Sequence, residues 1–299
     1  MELRVLQYFL AVTREQSILG AAESLHLSQP TLSRQLKDME EELGKQLFIR
    51  SNRKITLTEE GMILRKRAEE IMELVRKTED EIAMSDQVIA GDIHIGAGET
   101  EGIRFLAKAA QSLRAEYPPL VHFHIVSGDR VSVTENLERG LLDFGLLFGD
   151  IDSSKYDSLE VPSTDSFGVL MLRDDPLAQK DLVQPQDLWE KPLIVSRQSV
   201  HDNNLPGLLH CSEEKVNIVA TYNLLFNGSI MVEEGMGYAI CLDHIVNVSG
   251  DSSLCYRPLA GSPGLPMYIV WKKYQVLTKA ADKFLQAIRN ITQVQNEPS

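Results

Sequence analysis

Residues 17–58 read SILGAAESLHLSQPTLSRQLKDMEEELGKQLFIRSNRKITLT, and this stretch decides the fold of the N-terminal region. Ser17 carries the hydroxyl that accepts from an orphan amide of a first helical turn, which predicts a helix over 18–25. Ala21 and Ala22 leave room for another helix to cross closely. His26 and Leu27 make a turn, and Ser28 predicts a second N-cap with Pro30 in the first turn, where a missing amide has no intrahelical partner to lose. Leu32, Leu36, Met39 and Leu43 recur at helical spacing and are expected to face the core, with Gly44 ending the helix. Residues 47–49 and 54–57 then read as two strands of a hairpin. Two helices about a tight turn, followed by a hairpin, are the order of a winged helix-turn-helix, a device that sets one helix into the DNA major groove.

Working outward, the polar face of the third helix holds Gln29, Thr31, Ser33, Arg34 and Lys37, side chains that reach base edges or phosphates. Arg50, Arg53 and Lys54 surround the hairpin tip at Ser51 and Asn52, where a basic wing lies along phosphates or enters the minor groove. Upstream, residues 3–12 form a helix with Leu3, Leu6, Phe9 and Leu10 expected on one face. Downstream, Thr58 with Glu59 and Glu60 starts a helix that runs to about residue 85, roughly 40 Å at 1.5 Å per residue. Leu64, Ala68, Ile71, Val75, Thr78 and Ile82 alternate at spacings of four and three, a coiled-coil seam. Such a helix either pairs with a second copy or packs on its own domain, and its length favours pairing.

The 299 residues are 43% hydrophobic and 24% charged, the balance of an ordinary globular chain long enough for two domains or more. No secretory pattern or membrane-length apolar run stands out, which leads us to expect a cytoplasmic protein without membrane association. A net charge of −13 is at odds with DNA binding until it is divided. Residues 1–57 hold 8 Lys/Arg against 7 Asp/Glu, and the acidity lies beyond them. Only the first segment is therefore expected to approach phosphates, with affinity multiplied by oligomerisation. Cys211, Cys241 and Cys255 form no C-x-x-C, which fits buried thiols in a reducing compartment.

From Gly91 strands and helices alternate: strands near 93–97, 121–126 and 144–148 with helices over 102–116 and 132–139, then a strand at 167–172. A second half has strands near 193–196, 216–220 and 238–240 and a helix over 224–234. A strand at 267–271 returns towards the first half, and a helix over 277–291 closes the chain. The fold class is α/β, with two similar halves joined by crossing strands about a cleft.

Ala21-Ala22, Ser28-Gln29-Pro30, Ser33, Leu43-Gly44, Leu47-Phe48, Arg50 and Thr56-x-Thr58-x-x-Gly61 together resemble the LysR-type transcriptional regulators. Gly91-x-Ile93-x-Ile95-Gly96, Leu141-Leu142-Asp143, Asp175-Pro176-Leu177-Ala178 and Gly235-x-Gly237 extend the resemblance over nearly the whole chain. It implies a winged helix-turn-helix at 1–58, a dimerising linker helix at 59–90 and a periplasmic-binding-protein-like effector domain at 91–299. Within the last, one subdomain would take about 91–162 and 266–299, the other about 163–265. It further implies binding of double-stranded DNA, contact with RNA polymerase, a small-molecule effector in the cleft, and a homodimer assembling to a homotetramer. The family's base-reading positions fall on Gln29, Pro30, Ser33 and Arg34, and its wing contacts on Arg50 and Arg53.

Ligands in open α/β domains sit at the carboxyl ends of strands. Here those ends supply Glu99, Thr100 and Glu101; Ser127, Gly128 and Asp129; Phe148; Ser196 and Arg197, with His201 beyond; and Thr221 and Tyr222. Thr100 stands where the family commonly offers a hydroxyl at a helix N-terminus, a seat for an anionic group. Glu99 and Glu101 either favour the helix dipole or select a cationic or zwitterionic effector, while Arg197 and His201 are placed to hold a carboxylate. The expected effector is thus a small polar, amphoteric metabolite touching Thr100 and Arg197. A thiol-based redox sensor on the same scaffold is the alternative, centred on Cys211. An enzyme is more remote: G-x-S-x-G, H-E-x-x-H, P-loop and dinucleotide patterns are missing, the histidines lack metal-ligand spacing, and no cofactor is expected.

Overall fold

The computed structural model describes residues 1–50, 54–83, 89–118 and 120–296. The chain divides into two compact units, residues 1–85 and 86–299. The first contains α1 (Leu3–Glu15), α2 (Ile18–Ser24), α3 (Gln29–Leu43), a hairpin of β1 (Phe48–Arg50) and β2 (Ile55–Leu57), and α4 (Glu59–Ala83). Both expected N-caps form: Ser17 Oγ accepts from the Gly20 amide at 3.2 Å and Ser28 Oγ from the Thr31 amide at 3.4 Å. Gly44 closes α3 at φ 64°, a left-handed conformation open to glycine.

Val5, Leu6, Phe9 and Val12 of α1, Ala21 and Ala22 of α2, and Leu32, Leu36 and Met39 of α3 close one core with Phe48, whose ring lies 5.1 Å from that of Phe9. Two expected core residues are outside it. Leu3 and Leu43 are 48% and 41% exposed, because the buried stripe of α1 runs through Val5 and Val12, and Leu43 is the last residue of α3. The hairpin is tied to the helices by the Glu40 carboxylate, which accepts from the amides of Leu47 at 2.7 Å and Phe48 at 3.2 Å. Thr58 starts α4 by accepting from the Gly61 amide at 3.0 Å while donating to the Gln46 carbonyl at 2.7 Å. A Cβ on Gly61 would lie 2.2 Å from the Leu47 carbonyl oxygen, so this approach of α4 requires glycine.

The seam of α4 needs correction. Ala68 is fully buried in the core of its own unit, and Leu64 and Ile71 pack partly against that core. The Ala68 methyl is therefore inaccessible to a second chain. Farther along, Val75 is half-buried and Ile82 is 79% exposed. The two readings of this helix apply to its two ends: the first turns belong to the local core, and the later turns carry the free apolar positions.

The second unit comprises β3 (Gly91–Ala97), α5 (Ile103–Glu116), β4 (Val121–Ser127), α6 (Arg130–Glu138), β5 (Phe144–Phe148), β6 (Tyr156–Asp165), β7 (Phe167–Leu172), β8 (Pro192–Ser196), α7 (Arg197–His201), α8 (Leu205–Leu208), β9 (Asn217–Tyr222), α9 (Leu225–Glu233), β10 (Tyr238–Leu242), β11 (Leu254–Pro258), β12 (Leu265–Lys272) and α10 (Lys279–Asn296). They build two five-stranded sheets, ordered β4-β3-β5-β12-β6 and β11-β7-β10-β8-β9. Each has a parallel trio (β4-β3-β5 and β10-β8-β9) extended on one side by two strands, the inner one (β12 or β7) antiparallel to both of its neighbours. The chain crosses between sheets from β6 to β7 and returns from β11 to β12, so both crossovers lie side by side where Leu265 pairs with Asp165.

Ile93, Ile95 and Ala97 of β3 pack with α5 and α10 around Phe144 and Phe284, whose rings are 5.5 Å apart. Asp143, 2% exposed, locks the start of β5 to β3 by accepting from the His94 amide at 2.8 Å. The sequence pattern missed β6, which buries only Tyr156, Val161 and Asp165 and so lacks a strand's alternation, and β11, a five-residue strand ending in proline.

Candidate nucleic-acid interface and effector cleft

In the first unit, Ser28, Gln29, Pro30, Thr31, Arg34 and Lys37 are exposed along one side of α3, and Ser33 is half-buried. Ser28 is partly committed: besides capping α3, its hydroxyl bonds that of Thr31 at 2.7 Å. Arg34 lies 3.9 Å from Asp38 and Lys37 3.3 Å from Glu41, with the two cationic side chains 82% and 68% exposed. Exposed pairs of this kind contribute little, about 0–1 kcal/mol, so both cations are free to exchange a carboxylate for a phosphate. Lys54 is exposed at the foot of β2, and the Arg50 backbone pairs with Ile55. Arg53 lies outside the described residues.

In the second unit, the carboxyl ends of β3, β4, β5, β8, β9 and β10 converge on a cavity of about 290 Å³. Of the residues expected there, Glu99, Gly128, Asp129, Phe148, Ser196, Arg197 and Tyr222 line it. Ser127, His201 and Thr221 line an adjoining, more open hollow that shares Asp129 and Arg197.

Thr100 and Glu101 line neither, and their assignment is corrected. Thr100 is 6% exposed; its hydroxyl donates to Asp165 Oδ2 at 2.5 Å, accepts from the Gly102 amide at 3.0 Å and touches Met267 Sδ at 3.2 Å. It is a latch between the start of α5 and the end of β6. Burial pushes the Asp165 carboxyl above its ordinary value, against the opposing pull of the Thr100 hydroxyl. Glu101 turns away to a two-pronged pair with Arg104, which holds its carboxyl below the usual range.

Among these contributors, Arg130 carried no sequence signal. Arg130 follows the N-cap Asp129 and donates from both terminal nitrogens, to the carbonyls of Phe148 and Asp150. Asp129 caps α6 by accepting from the Ser132 amide at 2.9 Å; these bonds, helped by Arg197, hold its carboxyl low. Glu99 Oε2 accepts from the Leu225 amide at the start of α9, linking the two halves, and Arg130 N donates to Gln198 Oε1 at 3.4 Å across the same gap. Tyr222 donates its hydroxyl to the Ile240 carbonyl at 2.8 Å, and burial pushes that phenol well up.

All three cysteines are free thiols. Cys241 lies in the cleft wall, buried, with its thiol pushed well up, and burial also raises that of half-buried Cys211. Among the described residues no group of three or more His, Cys, Asp or Glu is placed to hold a metal, and no helix is long and apolar enough to cross a membrane.

The bacterial regulatory helix-turn-helix model of the lysR family matches residues 3–62, and the LysR substrate binding domain model matches residues 86–293. The chain therefore belongs to the LysR family of transcriptional regulators, as its motifs suggested. The HTH-type transcriptional regulator BsdA of Bacillus subtilis is 28% identical over 305 residues, covering 95% of this chain and 99% of that one. The DNA-binding transcriptional dual regulator OxyR of Escherichia coli is 30% identical over 196 residues, 65% of this chain and 63% of OxyR. The crystal structure of full-length CbnR with its target DNA shares the fold, with a TM-score of 0.74 at 18% identity over 97% of this chain and 99% of that one.

Proposed function

We propose that α3 and the wing hold double-stranded DNA while the cleft of the second unit takes a small effector that sets the regulatory output. The observation that carries the first half is the exposed polar side of α3, fixed by a capped start and a buried opposite face. The second half is supported by a cavity whose wall joins strand ends of both sheets and is spanned by Glu99 and Arg130. Residues 1–58 serve as the DNA-binding domain, 59–90 as the pairing helix and 91–299 as the effector domain. Pairing falls to the later turns of α4, where Val75 and Ile82 leave the local core. Dimers assembling to a homotetramer, contact with RNA polymerase, a cytoplasmic location and the lack of an enzymatic activity or cofactor complete the reading. Thiol sensing is disfavoured, because burial raises the Cys211 thiol and so opposes the reactive thiolate.

Gly98 gives the test. It lines the cleft, and a Cβ there meets only the Gly128 carbonyl oxygen, at 3.7 Å. Gly98→Leu should fill the cavity without disturbing the fold. Gel-shift assays should show operator binding as tight as wild type, while a promoter reporter should lose its response to growth conditions. A fully responsive Gly98→Leu protein would rule the cleft out.

A further inference from the structure

We propose that the cleft is built for a small ligand with an ammonium head on an apolar body, the head seated against Glu99 and the aromatic wall. This rests on the reading of the cleft as the effector site and assigns the ligand's charge.

The first ground is that the helix N-termini opening on the cleft are closed by the chain's own oxygens. Asp129 Oδ1 accepts from the Ser132 amide at 2.9 Å on α6. Ser196 Oγ accepts from Ser199 at 3.1 Å on α7, and Glu99 Oε2 from Leu225 on α9. Two of these oxygens, those of Asp129 and Glu99, belong to carboxylates. The partial positive charge that would draw an anion to a helix start is thus already compensated, and an arriving anion meets negative charge instead.

The second ground is the state of the two cations in the wall. Both terminal nitrogens of Arg130 are engaged with backbone carbonyls, and the Arg197 charge acts on the Asp129 carboxyl, which it helps to hold low. By contrast, a carboxylate accepts about four hydrogen bonds, and the Leu225 amide uses only one of the sites on Glu99.

The third ground is independent of charge counting. Phe148, Phe167 and Tyr222 share the cavity wall with Glu99. Aromatic faces attract a desolvated ammonium through their quadrupole and offer an anion nothing comparable. Leu225, Leu242 and Ile245 complete an apolar lining for the ligand body. A volume of about 290 Å³ limits that body to roughly one ring or a short chain.

Calorimetric titration of the full-length protein with benzylamine and with benzoate, equal in ring and opposite in charge, tests the assignment. Benzylamine should bind about ten-fold more tightly or better, a difference of about 1.4 kcal/mol. Glu99→Gln keeps an oxygen for the Leu225 amide and removes the charge; it should weaken benzylamine about ten-fold. Benzoate binding as well as benzylamine, benzylamine undiminished in Glu99→Gln, or binding of neither compound would each overturn the assignment. Benzoate binding that Gly98→Leu abolishes would leave the cleft as the ligand site and remove only its proposed charge. Binding of either compound that Gly98→Leu leaves intact would place the site elsewhere and sink the cleft reading itself.

Discussion

The exposed polar side of α3, the side we assign to DNA, comes from one contiguous stretch, residues 28–37, whereas the cleft of the second unit draws on strand ends from Gly98 to Leu265. On α3 the direction of each side chain follows from the helical period and a single cap, so Gln29, Arg34 and Lys37 point outward independently of one another. In and beside the cleft, polar groups depend on distant partners: Glu99 on the start of α9, Arg130 on carbonyls at and just past the end of β5, and Thr100, behind the wall, on Asp165. A surface of the first kind is suited to reading a rigid partner. A surface of the second kind is suited to being changed by one, because a ligand seated on Glu99 shares the carboxylate that bonds the two halves. A ligand that bonds Glu99 more strongly in one arrangement of the halves than in another would shift the balance between them, which is what a switch requires.

The comparison breaks first at the core. Phe9 is fully buried beneath α3 and against Phe48, and Phe9→Ala should cost about 3–5 kcal/mol in thermal or chemical unfolding. DNA binding should fall with the lost structure. A well-folded, non-binding Phe9→Ala protein would show that α1 contributes to the DNA contact itself. The independence of side chains on α3 is tested next. Arg34→Ala should cost about 1–3 kcal/mol at a single operator base pair and relax preference there. Lys37→Ala should weaken binding evenly across sequences and reduce the magnitude of the salt slope by about 1. Quantitative gel shifts over a panel of operator variants and salt concentrations separate the two, and identical profiles would refute the division of roles.

The same contrast explains what could be read from the chain. Caps, turn and periodicity are local, so Ser17, Ser28, Gly44 and Thr58 announce the helix ends that the structure shows. Strand ends are also local, which is why Glu99, Asp129, Arg197 and Tyr222 could be placed at the cleft. What those side chains do there depends on residues remote in sequence. Thr100 looks like an open hydroxyl until Asp165, 65 positions later, is folded against it. Ala68 looks like a dimer contact until the core below it is built. Asp165 itself ends a strand without alternation, and nothing within its own segment marks it as a latch.

Asp165 supplies the subtlest test, because here burial and hydrogen bonding oppose each other. Its carboxyl is held above the ordinary 3.8, with burial the larger cause and the Thr100 hydroxyl pulling the other way. A carboxyl raised in the folded state stabilises the fold most where it is protonated in both states, below 3.8; that contribution is lost as pH rises through the folded value. Asp165→Asn has nearly the same shape and still offers an oxygen to Thr100, but it cannot ionise. Relative to wild type, the variant should therefore gain stability as pH climbs through the Asp165 titration and hold that gain at neutral pH. Urea unfolding of the two proteins in parallel from acid to neutral pH measures the difference. A difference that instead moves against the variant with rising pH would mean that the ionised carboxylate is the favoured state. The Thr100 hydroxyl would then outweigh burial, and the latch would be an ionic cap rather than a buried acid.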